Sequence, residues 1–315
     1  MNAETITPGR ICLLGDKVDL LNKPVIAAAI NKTLRINISK LDNKILYESR
    51  GLAKTYEMKL GAKYSDNNFN YQNAIYDLLK DRIKGGFICN DSTNIPIGAG
   101  VSSSAAISVG FARALNLEYG LGLSDYEIAE IAYRAEHDVL GISCGRMDQY
   151  SIAFGGVTFI DTLKPNVERL SIGSLPIIVA NSNQPRSAKI VLNETMSLIN
   201  KGNDKILNCF DRVYQGVLAG KKALQNNDFK TFGELMNLQQ GIENEFNELL
   251  STPSATPKLN LLCETAINAG AIGAKQMGAG GGGCMIALCP ENKEKIAKEL
   301  EKNGATVYSC DIFNY

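Results

Sequence analysis

The sequence predicts a two-domain α+β protein. Three observations carry that prediction. The first third is strand-rich: "RICLL", "PVIAAAI" and "LRINIS" are short β-type runs separated by Gly, Asp, Asn and Lys. The second half runs strand, helices, strand, strand, helix, strand, an order that suits a ferredoxin-like α+β unit. The chain has 315 residues, 45% of them hydrophobic, enough for a sizeable core in one large domain or two modest ones.

The elements follow in order. After the opening strands, "YQNAIYDLLKDRIK" reads as an amphipathic helix. The stretch from about Ser104 to Leu115 is apolar almost all round, which predicts a buried helix. Ser124 followed by Glu127 forms a capping box for the next helix. Ile128, Ile131, Ala132, Ala135 and Val139 mark one face of that helix, with Glu136 on its flank. A hinge is expected over "DTLKPNVERLSIG", giving domains at 1–165 and 166–315. Beyond it come a strand, "LPIIVANS", and helical stretches to about Leu250. A helix follows, with Thr256 as N-cap, Pro257 in the first turn and Gly270 as the stop. The rest reads as a strand "AIGAKQMG", a glycine loop, a strand "CMIALC", a helix "ENKEKIAKELEKNG" and a strand "ATVYSCDIF".

Composition narrows the function. Lys+Arg and Asp+Glu are both 33, and no basic block occurs, which argues against nucleic acid as a partner. An anionic substrate must then meet local rather than global positive potential. The eight cysteines form no C-x-x-C pair and sit mostly in apolar runs, so buried reduced thiols of a cytoplasmic protein are expected. The start "MNAETITPGR" lacks a secretory layout, and no apolar run reaches membrane-spanning length. A single histidine, His137, cannot build a His-rich metal site or a Ser-His-Asp triad. Carboxylates and backbone must carry the chemistry.

Four segments hold it. In "NIPIGAGVSSSAAISVGF", a glycine turn leads straight into a helix start. Glycine permits positive φ, and a helix N-terminus offers unpaired N–H groups and a positive dipole end. Gly98, Ala99, Gly100, Val101, Ser102, Ser103 and Ser104 thus form a candidate phosphate cradle, its hydroxyls able to bond phosphate or ligate Mg²⁺. A serine-capped helix after a turn is the equally weighted structural alternative. "GAGGGG", from Gly278 to Gly283, matches G-x-G-x-x-G, but a strand follows it where a dinucleotide fingerprint needs a helix. Close approach of its backbone to a ligand would explain the glycines. "AEHDVLGISCGRMDQ" places Glu136 on a helix and Asp148 in the turn beyond, suited to holding Mg²⁺ and taking a hydroxyl proton. "TPGRICLLGDKVDLLNKP" puts Arg10 at a strand start and crowds Asp16, Lys17 and Asp19 into the turn after it.

Together these segments resemble the GHMP kinases. "IPIGAGVSSSAA" is similar to their phosphate-binding motif, "QMGAGGGGCMIAL" to their C-terminal glycine motif and "TPGRICLLGDKVD" to their N-terminal signature. The resemblance implies an N-terminal domain like ribosomal protein S5 domain 2, a ferredoxin-like C-terminal domain, ATP and Mg²⁺. "EHDVLGISCGRMDQ" is most like the galactokinase branch, and the glycine motif is closer to the mevalonate kinases. By the galactokinase match, Glu136 and Ser104 would ligate Mg²⁺. Asp148 would be the base, Arg10 would sit against it and the transferring phosphoryl group, and Gly280 would border ATP. Asp16, Lys17, Asp19 and Gly145 would meet the acceptor. At the sugar-contacting turn this chain reads "GDKVDL" where galactokinases read G-E-H-T-D-Y. Lys17 thereby makes a uronic acid a candidate acceptor beside a neutral sugar, the alternative being a lysine that points to solvent and pairs with a surface acid. The expected activity is ATP-dependent phosphorylation of a hydroxyl of a sugar or sugar acid, by a monomer or homodimer. A mevalonate kinase and a non-catalytic sugar sensor are the alternatives.

Overall fold

The computed structural model describes residues 2–62, 68–96, 98–185 and 188–315. They fall into two compact units that interleave along the chain. Unit one comprises 1–9, 31–96 and 102–154; unit two comprises 10–30, 97–101 and 155–315. The single division expected at residue 165 is therefore not what contact defines. The cause is strand length: β1 (Ala3–Leu14) and β2 (Val25–Leu41), which pair, each run out of one unit into the other. "PVIAAAI" and "LRINIS", read above as separate strands, are one continuous β2.

In unit one, β3 (Lys44–Ser49) and β4 (Lys54–Lys59) make an antiparallel hairpin. After α1 (Asn70–Leu79), β5 (Gly86–Thr93) lies between β3, which it parallels, and the later half of β2, which it opposes. Tyr47, Phe69, Phe87 and Phe111 fill the core, with Tyr47 and Phe69 stacked at 5.2 Å. Phe111 comes from α2 (Ser103–Tyr119), the expected buried helix, which packs on α1, on α3 (Asp125–Arg134) and on α4 (Met147–Phe154). The capping box of Ser124 and Glu127 opens α3 as predicted.

In unit two, the expected hinge is instead a β-hairpin of β6 (Val157–Asp161) and β7 (Asn166–Leu170). Asp161 Oδ1 accepts from the N–H groups of Leu163 and Lys164, so the aspartate builds a tight turn where a linker was expected. β6 pairs with Val25–Ala28 of β2. Then follow β8 (Ile177–Asn181), three helices, α5 (Ala188–Asn200), α6 (Asp204–Gln225) and α7 (Phe229–Asn247), and α8 (Pro257–Ala269). α8 carries the expected Thr256 cap and Gly270 stop. β9 (Gly273–Gln276), β10 (Cys284–Leu288), α9 (Lys293–Lys302) and β11 (Thr306–Ser309) complete the unit. The four strands are ordered β11-β8-β10-β9, all antiparallel, which is the ferredoxin-like arrangement. Leu259 and Leu262 of α8 and Ile296 and Leu300 of α9 pack on its apolar face with Ile178, Ala180, Met285 and Ala287. Among the described residues, no helix is long and apolar enough to cross a membrane.

Candidate active site

In unit one the serine loop and the base motif meet. The loop enters α2 through left-handed residues, Gly98 (φ 73°), Gly100 (φ 90°) and Ser102 (φ 59°). Glycine accepts that conformation freely, but an L-residue such as serine loses about 1–2 kcal/mol in it. Ser102 is held there by contacts at both ends. Its carbonyl accepts the Ala106 N–H at 3.0 Å, and its hydroxyl donates to Asp148 Oδ2. A residue expected to touch phosphate thus also touches the expected base. Ser103 and Ser104 occupy the first positions of α2, half-buried, where its N-terminal amides and dipole favour an anion.

Glu136 arrives by a device the periodicity did not show. After Arg134 the helix widens into a π turn, Ala135–Val139, closed by Leu140 N–H to the Ala135 carbonyl at 3.1 Å. The wider turn breaks the α-helical spacing. Glu136, expected on the flank, is buried at 4% exposure, and Val139, expected on the buried face, is 45% exposed. His137 stays outside the chemistry, stacked on Tyr133 with Nδ1 2.9 Å from Asp138. Tyr71, which nothing in the sequence singled out, lies beside both proposed metal ligands. Burial first, then the nearby Glu136 charge, push its phenol pKa up, opposed by a hydrogen bond with Ser104. Among the described residues there is no cluster of three or more His, Cys, Asp or Glu able to hold a metal. A hydroxyl and a carboxylate do suit Mg²⁺, which takes one or two protein oxygens and the rest from phosphates and water.

The approach to Asp148 is braced from α3. Glu130 accepts from Arg146 Nε and Nη2, both at 3.0 Å, and from the Tyr150 hydroxyl at 2.8 Å, while Arg146 stacks 4.0 Å over Tyr133. Burial would raise the Glu130 carboxyl; the Arg146 and Tyr150 hydrogen bonds outweigh it and hold it below the ordinary value. Gly145 lies half-buried just ahead of this brace, and Asp148 opens α4 inside it.

In unit two, Arg10 is 5% exposed and fixes the glycine loop at Gly100 and Val101. Its Nη1 donates to the Gly100 carbonyl at 2.8 Å and its N–H to that of Val101 at 3.1 Å. Asp19 sits in a short 3-10 turn, Val18–Leu21, 9% exposed.

Asp16 and Lys17 do not present their charges as expected of acceptor ligands. Both are buried and paired. Lys17 Nζ donates to both Glu243 oxygens at 2.8 and 2.7 Å and to Ser254 Oγ at 3.1 Å. Asp16 pairs with Lys275 and accepts from Gln239 Nε2 at 2.7 Å and from the Gly278 N–H. Burial alone would raise the Asp16 carboxyl. Lys275 first, then Lys17, overcome that and hold it below the usual carboxylate range. Lys275 is held above the usual lysine value by Asp16, against burial.

The glycine loop is buried throughout. Gly280 has φ 76°, and a Cβ there would lie 2.6 Å from Ser254 Oγ and 2.8 Å from Gln276 Nε2. The close approach that demands glycine at this position is therefore to the protein's own Ser254, where approach to a ligand was the expected explanation.

Residues 70–156 match the GHMP kinases N terminal domain, and residues 221–306 match GHMP kinases C terminal. The mevalonate kinase of Thermococcus onnurineus is 30% identical over 95% of this chain and 92% of its own length. The galactokinase of Thermococcus kodakarensis is 28% identical over 96% and 94%. The solved structure of Lactococcus lactis galactokinase with galactose superposes with a TM-score of 0.85 at 23% identity, covering 99% of this chain and 94% of that one. The chain belongs to the GHMP kinases, ATP-dependent enzymes that phosphorylate an alcohol group.

Proposed function

We propose that this kinase transfers the γ-phosphoryl group of Mg·ATP to a hydroxyl of a neutral polyhydroxylated small molecule, a sugar. The observation that carries the reading is the Ser102–Asp148 hydrogen bond, which joins the phosphate-loop motif to the one carboxylate of the Cys-Gly-x-Met-Asp turn. In this reading the triphosphate rests on Gly98–Ser104, whose shape Arg10 sets and whose positive character Arg10 and the head of α2 supply. Ser104 and Glu136 hold Mg²⁺, which offsets charge on the phosphates when bound. Asp148 accepts the proton of the acceptor hydroxyl as its oxygen bonds to the γ-phosphorus and ADP departs. Gly145, three residues before Asp148 in unit one, borders the acceptor.

A neutral acceptor is favoured over a sugar acid because the Lys17 cation, the one local reason to expect an anionic acceptor, is already balanced by Glu243. The relatives named mevalonate kinase support a second reading, a mevalonate kinase. ADP release in Mg·ATP with a panel of neutral sugars, uronic acids, mevalonate and homoserine separates them. Turnover of a neutral sugar is expected. Turnover of mevalonate with every sugar inert would leave the kinase and remove the sugar. A non-catalytic sensor would bind a sugar and release no ADP. Glu136→Ala is expected to raise the Mg²⁺ concentration needed for half-maximal rate.

A further inference from the structure

The Gly278–Gly283 loop has almost no side chains with which to set its own conformation, yet its backbone is fixed at successive points from outside. Asp16 accepts the Gly278 N–H, and Lys17 Nζ lies 3.5 Å from the Gly278 carbonyl. Ser254 Oγ is 3.1 Å from the Ala279 carbonyl, and the Ser254 carbonyl takes the Gly281 N–H at 2.7 Å. Behind these contacts stand Glu243, Gln276 and Lys275. Gln276 Nε2 reaches Glu243 at 2.9 Å and Ser254 Oγ at 2.8 Å. Opposite charges therefore grip Gly278 on its two sides. A flip of either adjoining peptide would turn a carbonyl toward Asp16 or an N–H toward Lys17.

We infer that Asp16, Lys17, Glu243 and Ser254 are positioning residues that hold Gly278–Gly283 in one backbone conformation, on which nucleotide affinity depends. The inference rests on the kinase reading above. Buried ion pairs are replaceable by apolar residues without loss of stability in many folds. Here the charges end on loop backbone, where apolar residues could not set peptide orientation.

Two variants test it. Ser254→Ala keeps both ion pairs and removes one tether. It is expected to speed amide hydrogen exchange at Gly280 and Gly281. It should weaken ADP binding by about threefold to tenfold, the worth of one hydrogen bond. The KM for ATP should rise more than kcat falls, with the melting temperature close to wild type. The double variant K17M/E243M removes the ion pair as a unit and should move the same readouts further. Wild-type loop exchange and ADP affinity in a folded Ser254→Ala protein would overturn the inference, whether or not the double variant folds. If the wild-type chain itself bound no ADP, the kinase reading would fall and the inference with it. If wild type binds and turns over ATP while Ser254→Ala matches it, only the inference falls.

Discussion

The two glycine-rich loops look alike as strings and are built for opposite reasons. Around Gly98–Ser104 the glycines serve conformation: a Cβ on Gly98 would meet nothing within 4 Å, and the loop ends in three hydroxyls at a helix start. Around Gly278–Gly283 the glycines serve packing: Gly280 is pressed against Ser254, and the loop is buried and tethered by charges. The first loop leaves its backbone open at Gly98, as the proposed phosphate cradle requires, and the second is gripped from within the chain. Glycine content alone does not mark a ligand site. What distinguishes the two is which side chains end on the loop.

The largest expected effect lies on the first side of that comparison. Asp148→Asn should lower kcat by roughly 10²–10⁴-fold, the usual worth of general-base catalysis, with nucleotide affinity and melting temperature little changed. Steady-state rates alongside ADP calorimetry check it, and near-normal turnover would remove Asp148 from the role.

The next effect is on the buried side. Asp16→Asn leaves Lys275 unpaired at 0% exposure and should destabilise the fold by about 3–5 kcal/mol near neutral pH. The folded Asp16 pKa is depressed, so its contribution is complete above the unfolded value of about 3.9 and is lost as pH falls through the lower folded value. The Lys275 pKa is raised, so its contribution holds below about 10.4 and is lost only as pH rises through the higher folded value. Urea unfolding of wild type and variant should show a difference that is flat from mildly acidic to mildly alkaline pH and shrinks in strong acid. A difference that shrank near pH 6 would contradict the pairing.

A smaller pair of changes compares the loops directly. Gly280→Ala meets both left-handed strain and Ser254, and should destabilise by about 2–4 kcal/mol. Gly98→Ala meets strain alone, about 1–2 kcal/mol. Thermal unfolding ranks them, and equal losses would erase the distinction drawn between the loops.

Much of the fold is legible in the sequence, and the limits have physical causes. Capping residues are local, so Ser124, Glu127, Thr256, Pro257 and Gly270 marked their helix ends correctly. The ferredoxin-like order followed from element sequence alone. β3 and β4 escaped because "KILYES" and "KTYEMK" mix charge into short, half-exposed strands. The π turn escaped because helical periodicity assumes 3.6 residues per turn throughout. The fate of Lys17 escaped for another reason. Its partner Glu243 is 226 residues away, and no local pattern announces that a turn lysine will be buried against it. Tyr71 carried no signal either, since its significance comes only from lying beside Ser104 and Glu136.

The most direct test is a crystal structure with Mg²⁺ and a non-hydrolysable ATP analogue. The account predicts phosphate oxygens on the backbone N–H groups of Gly98–Ser104, the metal on Ser104 and Glu136, and Asp16 and Lys17 still engaged with Gly278 and Glu243. Phosphates bound on the Gly278–Gly283 loop alone, with Glu136 away from the metal, would contradict it.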